Sequence, residues 1–152
     1  MTTPRRSWRP VQSIRAVAIG LIWRNHDLLL SRVFDDDGNT EGWRPMGGAI
    51  EFGELGAAAL KREFLEEIGE EISAPRLLTA LENLYEHYGM TGHEIVFVYE
   101  TEFVRPQAYD QESWTYQEET LDGAAEWVGL DQLRSGAEAL YPEGLLQLLE
   151  AR

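Results

Sequence analysis

Gly47-Gly48-Ala-Ile-Glu51-Phe-Gly53-Glu54-Leu55-Gly-Ala57-Ala58-Ala59-Leu60-Lys-Arg62-Glu63-Phe64-Leu65-Glu66-Glu67-Ile68-Gly69 is the stretch on which the reading of this 152-residue chain turns. Leu55 to Ile68 reads as a helix. Three successive alanines are strong helix formers, and Gly69 stands where a C-terminal cap belongs. At helical spacing, Glu63, Glu66 and Glu67 fall within an arc of about 100°. Ala57, Ala58, Leu60, Phe64, Leu65 and Ile68 occupy an arc of about 160° beside it, so the helix is expected to pack on a core and present carboxylates at its edge. Like charges at this spacing repel, and a hard divalent cation with oxygen ligands would offset the repulsion. Three glutamates alone favour a solvated acidic face. The glycines shift the balance. Gly47, Gly48 and Gly53 let a ligand approach the main chain, and Glu51 and Glu54 lie on the same loop. Loop and helix oxygens can then converge from different directions, as a metal site requires.

Working outward, Ile14 to Trp23 is an apolar, β-branched run that fits a buried strand. Asn25-His26-Asp27 signals a turn, and Leu28 to Phe34 returns as a second strand. Asp35 to Asn39 is a loop. Gly42 to Gly53, with Pro45 inside it, reads as irregular chain or a short strand. Arg76 to Tyr85 and His93 to Phe103 read as strands joined by a turn at Gly89 to Gly92. Pro106 to Asp122 reads as a long polar loop, because residues 106 to 133 hold seven acids and no Lys or Arg. Ala124 to Val128 is a short strand, and Leu130 to Arg134 and Gly144 to Arg152 are helices. Strand runs on both sides of one central helix, with helices again at the end, predict an α+β fold: an α/β/α sandwich with a mixed β-sheet. Residues 1–13 are expected to form an N-terminal arm, mobile or leading into a strand, and residues 14–152 a single domain.

Composition narrows the function. The chain has no cysteine, which excludes disulfide frameworks, Cys-type zinc sites and thiol catalysis. A hydrophobic fraction of 43% argues against disorder. No apolar run reaches the roughly 18 residues of a membrane span, and no signal peptide is visible, so a soluble, cytoplasmic protein is expected. With 13 basic against 27 acidic residues, the formal charge of −14 points away from duplex nucleic acid. If the partner is a phosphate compound, a divalent metal held by carboxylates is the natural carrier of positive charge.

In register, the motif resembles that of the Nudix hydrolase family, also called MutT-like: Gly, five residues, Glu, seven residues, then Arg-Glu-apolar-x-Glu-Glu-x-Gly-apolar. Gly48, Glu54, Arg62, Glu63, Phe64, Glu66, Glu67 and Gly69 all match. Seven fixed identities at roughly 1/15 each give a chance match on the order of 10⁻⁸ per start position. The departure is the closing apolar position, which is Glu70 here and is expected to affect helix-end packing. The resemblance implies hydrolysis of a nucleoside diphosphate linked to a group X, with water attacking phosphorus and Mg²⁺ or Mn²⁺ assisting. It implies Glu63, Glu66, Glu67 and the Gly48 carbonyl as metal ligands, with Glu63, Glu66 and Arg62 in the catalytic set. Arg62 would hold a motif carboxylate in place, and Glu51 and Glu54 would support the loop. A general base is expected from a later loop, at Glu119 or its neighbour Glu118, with Glu94 a further candidate.

Substrate-binding candidates are Tyr88, Trp43 and Arg44. Nucleotide bases are held by stacking on aromatic rings, and Tyr85, Trp114 and Tyr116 belong to the same pool. The expected partner is a nucleotide-type small molecule, with no stable nucleic-acid partner, no membrane, and a homodimer open. The alternative is a non-catalytic nucleotide-binding module on the same fold, but every motif glutamate is retained. An RNA-processing member would be expected to carry a basic channel, and the only basic cluster is the N-terminal arm.

Overall fold

Strand β1 (Ile14–Leu21) lies at the middle of the fold because its residues serve two cores at once. Val17, Ile19 and Leu21 point to one face, and Ala18 and Ile22 to the other, all nearly or fully buried. The structure is a computed structural model that describes residues 7–118 and 121–151. After β1 come β2 (Trp23–Arg24), β3 (Asp27–Phe34), β4 (Thr40–Ala49), α1 (Gly56–Ile68), β5 (Arg76–His87) and β6 (Met90–Glu100). A 3₁₀ turn (Pro106–Asp110) leads to β7 (Ser113–Glu118), β8 (Leu121–Gly129), α2 (Leu130–Arg134), β9 (Ala139–Leu140) and α3 (Leu145–Glu150). The sheet order is β5-β6-β1-β4-β3-β8-β7, with β2 beside β3 and β9 beside β4. β1 runs parallel to β6 and antiparallel to β4, so the sheet is mixed.

One core cluster joins Ala18, Ile22, Leu29 and Met46 to Leu60 and Phe64 of α1. The other joins Val17, Ile19, Leu28 and Leu30 to Leu133 of α2 and to Leu145 and Leu149 of α3. Helices therefore cover both faces, giving the expected α/β/α sandwich. Among the described residues no helix is long and apolar enough to cross a membrane. The buried face of α1 is Ala59, Leu60 and Phe64, which is narrower than the expected arc: Leu65 is 53% exposed, and Ala58 is also exposed. Gly69 caps the helix in the left-handed region at φ 68°, its N–H donating to the Leu65 carbonyl. Glu70, in place of an apolar residue, is buried and ion-paired to Arg105.

Three elements differ from expectation. Thr40–Ala49 is a full strand, not irregular chain. Pro45 is accommodated because it is the last residue paired with β3, and pairing with β1 begins at Met46, so its missing N–H falls at the handover. The turn between β5 and β6 is Tyr88-Gly89, both at positive φ (53° and 75°), which is tighter than Gly89 to Gly92. The acidic stretch read as a loop contains β7 and the start of β8. Trp114 and Tyr116 alternate with polar residues there at strand period, and Trp114 is buried.

Phe64 is fully buried against Phe103. Phe64→Ala is expected to lower stability by about 3–5 kcal/mol, read as a lower urea midpoint at unchanged slope.

Candidate active site

The turn from β4 into α1 is organised by one side chain. Arg62 donates from Nε and Nη2 to the two carboxylate oxygens of Glu54, at 2.8 and 2.9 Å. Its Nη1 donates to Glu63 at 2.8 Å and to Glu66 at 3.4 Å, and its Nη2 to the Ala49 carbonyl at 3.1 Å. Glu54 also accepts the Glu51 backbone N–H, which closes the loop on itself. This is a bidentate, charge-assisted arrangement. Arg62 and the Glu51 N–H hold the Glu54 carboxyl down to about 2, and the hydrogen bonds from Arg62 to Glu54 and Glu63 push Arg62 above its ordinary value. The repulsion among the glutamates, expected to need a metal, is thus offset by the Arg62 guanidinium.

Glu63 lies against the main chain of β4. A Cβ at residue 48 would stand 2.5 Å from the Glu63 carboxyl carbon and 2.6 Å from its Oε1, so only glycine leaves room for that carboxylate. Glu63 is 14% exposed, whereas Glu66 points outward at 60%. Glu67 has its Oε1 closed off from solvent. Among the described residues, no group of three His, Asp or Glu side chains is gathered in a geometry that would hold a metal ion. The donor set still fits one. The carboxylates are hard oxygen ligands, and the space left by the missing Gly48 side chain brings one of them against the backbone. Glu63, Glu67 and Glu66 would hold the ion, with Arg62 giving up its bond to Glu63.

Beside this junction opens a cavity of about 270 Å³, near the lower end for small-molecule sites. Its floor includes Val17, Ile19 and Val96. Its walls include Glu67, Arg44, Tyr85, Tyr116, Tyr141 and Glu94. Among the described residues the lining takes in Glu67 but not Glu63 or Glu66. Arg44 lines the cavity, and its charge reaches Tyr85. Trp43 does not: it is 2% exposed in the core cluster of α2 and α3, with no open ring face for a base. Strand alternation separates these neighbours. Tyr88 sits at the tip of the β5–β6 hairpin, outside the lining, with the Arg9 guanidinium 3.6 Å over its ring and its hydroxyl accepting the Asp36 N–H.

Glu119 lies outside the described residues, as does the side chain of Glu118. Glu94 lines the cavity, accepting from Arg15 and Asn83 at 3.3 and 3.2 Å. Burial, and then the Glu94 charge, push Tyr85 up to about 12. Trp8, Asn83, Ser31 and Tyr141 also line the cavity and were not singled out in the sequence. Asn83 and Tyr85 alternate on one strand, and Glu94 and Val96 on its partner, so period-two spacing carried a signal. Trp8 carried none, since it precedes the sheet.

Residues 13–149 match the family model described as NUDIX domain. No curated protein matches. Solved structures do, at identities that speak to the fold alone. A NUDIX hydrolase from Nitrosomonas europaea has a TM-score of 0.65 at 19% identity, over 91% of this chain and 87% of that one. A MutT protein from Bacillus halodurans has a TM-score of 0.59 at 18% identity, over 90% and 80%. A protein described as a UDP-X diphosphatase has a TM-score of 0.57 at 17% identity, over 81% and 54%.

The Arg62–Glu54 pair generates a pH dependence. The Glu54 carboxyl titrates lower when folded than its ordinary 4.5, so its contribution is complete above that value and is lost as pH falls through about 2. Glu54→Gln is expected to be less stable than wild type by a constant offset above about pH 5. The two should converge at acid pH, as read by urea unfolding at stepped pH.

Proposed function

Because the chain belongs to the NUDIX domain family, we propose that it is a metal-dependent pyrophosphohydrolase acting on a nucleoside diphosphate linked to a further group X. The observation that carries this reading is the continuity of the motif helix with the cavity. Glu67 of α1 lines the same cavity as Arg44, Tyr85, Tyr116 and Trp8. Acidic oxygens, cationic side chains and aromatic rings are the three things a metal-bound nucleotide requires. A similar fold carries the description UDP-X diphosphatase, which is compatible with such a substrate.

In this reading Glu63 and Glu67, with Glu66, hold Mg²⁺ or Mn²⁺, and Gly48 contributes its carbonyl. The bound ion supplies positive charge to phosphate oxygens and makes water more acidic near neutral pH. The chain's own residues do the rest. Arg62 fixes the loop through Glu54, so that the Gly48 backbone and Glu63 stay in contact. Arg44 offers a cation to the diphosphate from the cavity wall. The apolar floor of Val17, Ile19 and Val96 excludes bulk water beneath the substrate, which strengthens each polar contact above it. Glu119, whose chain neighbours Leu121 and Asp122 line the cavity, is the proposed base that takes a proton from water as it attacks phosphorus.

A panel of nucleoside diphosphate derivatives, incubated with Mg²⁺ and resolved by product mass, tests the reading. We expect a nucleoside monophosphate and X-phosphate as products, and no turnover in excess chelator. Glu67→Gln is expected to lower kcat by on the order of 10²–10³ with the fold intact. Full turnover in chelator, or a Glu67→Gln variant with most of its rate, would overturn the proposal.

A further inference from the structure

The cavity lies between two groups of strands. Val17, Tyr85 and Val96 line it from β1, β5 and β6, and Ser31, Val33 and Tyr116 line it from β3 and β7. In the sheet the two groups are joined through β4, where residues 46–49 pair with β1 and residues 40–45 with β3. A second link lies outside the sheet. The Ser7 N–H donates to Asp36 Oδ1 at 2.7 Å, and Arg9 Nη2 donates to Asp36 Oδ2 at 2.6 Å, in the β3–β4 loop. At the tip of the β5–β6 hairpin, the Ser7 hydroxyl lies 3.3 Å from His87 Nε2, and the Arg9 guanidinium lies 3.6 Å over the Tyr88 ring. The Tyr88 hydroxyl accepts the Asp36 N–H at 2.8 Å. Arg9 Nη1 donates back to the Ser7 carbonyl and hydroxyl, at 2.9 and 2.6 Å, which closes residues 7–9 on themselves. Trp8, held between the two latched residues, lines the cavity with its ring centroid 6.3 Å from that of Tyr85.

Tyr88 is an unusual residue for its place. It forms the two-residue turn of the hairpin with Gly89, both at positive φ (53° and 75°). Such a turn favours Asn or Asp before the glycine, and a bulky side chain in the left-handed region is strained. Strain of this kind gathers at clamps and switch regions. Here the strained residue is the one whose ring and hydroxyl meet Arg9 and Asp36. The latch is charged but not deeply buried. Arg9 and the Ser7 N–H hold the Asp36 carboxyl down to about 2, so it is ionised at neutral pH. The Arg9 and Asp36 side chains remain 28% and 35% exposed, and partly exposed ion pairs stabilise little. Residues 7–9 belong to no strand, so these bonds, and not a ladder, hold them in place.

We propose that residues 7–9 are a strap, buckled at Asp36 and Tyr88, whose release draws Trp8 from the wall and opens the cavity between the two groups of strands. Closed, the strap ties the β3–β4 loop to the β5–β6 hairpin and fills part of the cavity with an indole. Open, it leaves those two tips linked by no more than the bond between Asp36 and Tyr88. Several weak contacts that break together give a closure that is reversible and local, while the rest of the fold stays intact. Tyr88 costs the turn and secures the strap, an opposition that a tyrosine serving the turn alone would not show.

The chain has no cysteine, so a single thiol placed in the cavity reports on its access. Ser31→Cys puts one on the wall, and its rate of reaction with a dye-labelled maleimide is the measurement. Arg9→Ala and Tyr88→Asn, each added to Ser31→Cys, are expected to raise that rate about 10-fold. Exchange of the Ser7 amide hydrogen, followed in the chain without the added thiol, should quicken by a similar factor in both variants. Tyr88→Asn should leave the urea midpoint unchanged or higher, because asparagine suits the turn. A thiol rate that stays at the parent value in either variant overturns the strap. So does a faster rate in Tyr88→Asn that comes with a lower urea midpoint, since general loosening then explains the access. None of these measurements involves turnover, so the strap stands or falls apart from the pyrophosphohydrolase reading.

Discussion

A single guanidinium governs the junction on which the site depends. Arg62 reaches Glu54 on the loop, Glu63 and Glu66 on its own helix, and the Ala49 carbonyl at the end of β4. Three segments are fixed to one another by one planar, multiply donating group, which an ammonium could not do. A loop between a strand and a helix would otherwise sample many shapes, and carboxylates one turn apart would push its first helical turns apart. With Arg62 in place, the acidic helix can be laid against the sheet without a metal. The fold is therefore not hostage to ion binding, and the glutamates remain available to an ion that arrives with substrate.

The parts of the fold that were legible in the sequence are those set by local chemistry. α1, its glycine cap and its place after a glycine-bearing loop all follow from propensity and capping. β1 and β3 follow from continuous apolar runs. What was not legible depends on neighbours far along the chain. Pro45 argued against a strand until the change of partner between β3 and β1 made its missing N–H harmless. The acids of residues 106–133 masked β7, whose strand character rests on the burial of Trp114 and on pairing with β8. At the site, the motif glutamates and Arg62 announced themselves by spacing. The cavity walls did not, because Trp8 and Glu94 come to line one cavity only through the tertiary fold.

The arm also changes what a terminal segment is for. The basic start of the chain reads as a mobile arm or a lead-in to a strand; Arg9, on the arm, bonds Asp36, and Arg15, on β1, bonds its cross-strand partner Glu94. Both contacts bring cations to carboxylates at the rim or wall of the cavity, and both leave an aromatic ring beside them. At Arg9 the pairing of guanidinium, carboxylate and ring ties down residues that precede the sheet.

An acidic protein with an anionic ligand must keep its own charge away from the phosphates. The distribution of arginines does this. Arg32 is engaged by Glu126 and Thr40, whereas Arg44, on the neighbouring strand and in the same cavity, has no carboxylate partner among the described residues. Glu94 is neutralised in part by Arg15, leaving its acceptor capacity without a full unit of repulsion. Of the other acids that line the cavity, Asp35, Glu41, Glu67, Glu86, Asp122 and Glu143, only Glu67 stands on the motif helix, where negative charge would be an asset if a divalent ion sat between it and a diphosphate. Under the proposed function, the excess of acids over bases would work as a sorting rule: free anions would be repelled, and the same anion complexed by a metal would be admitted.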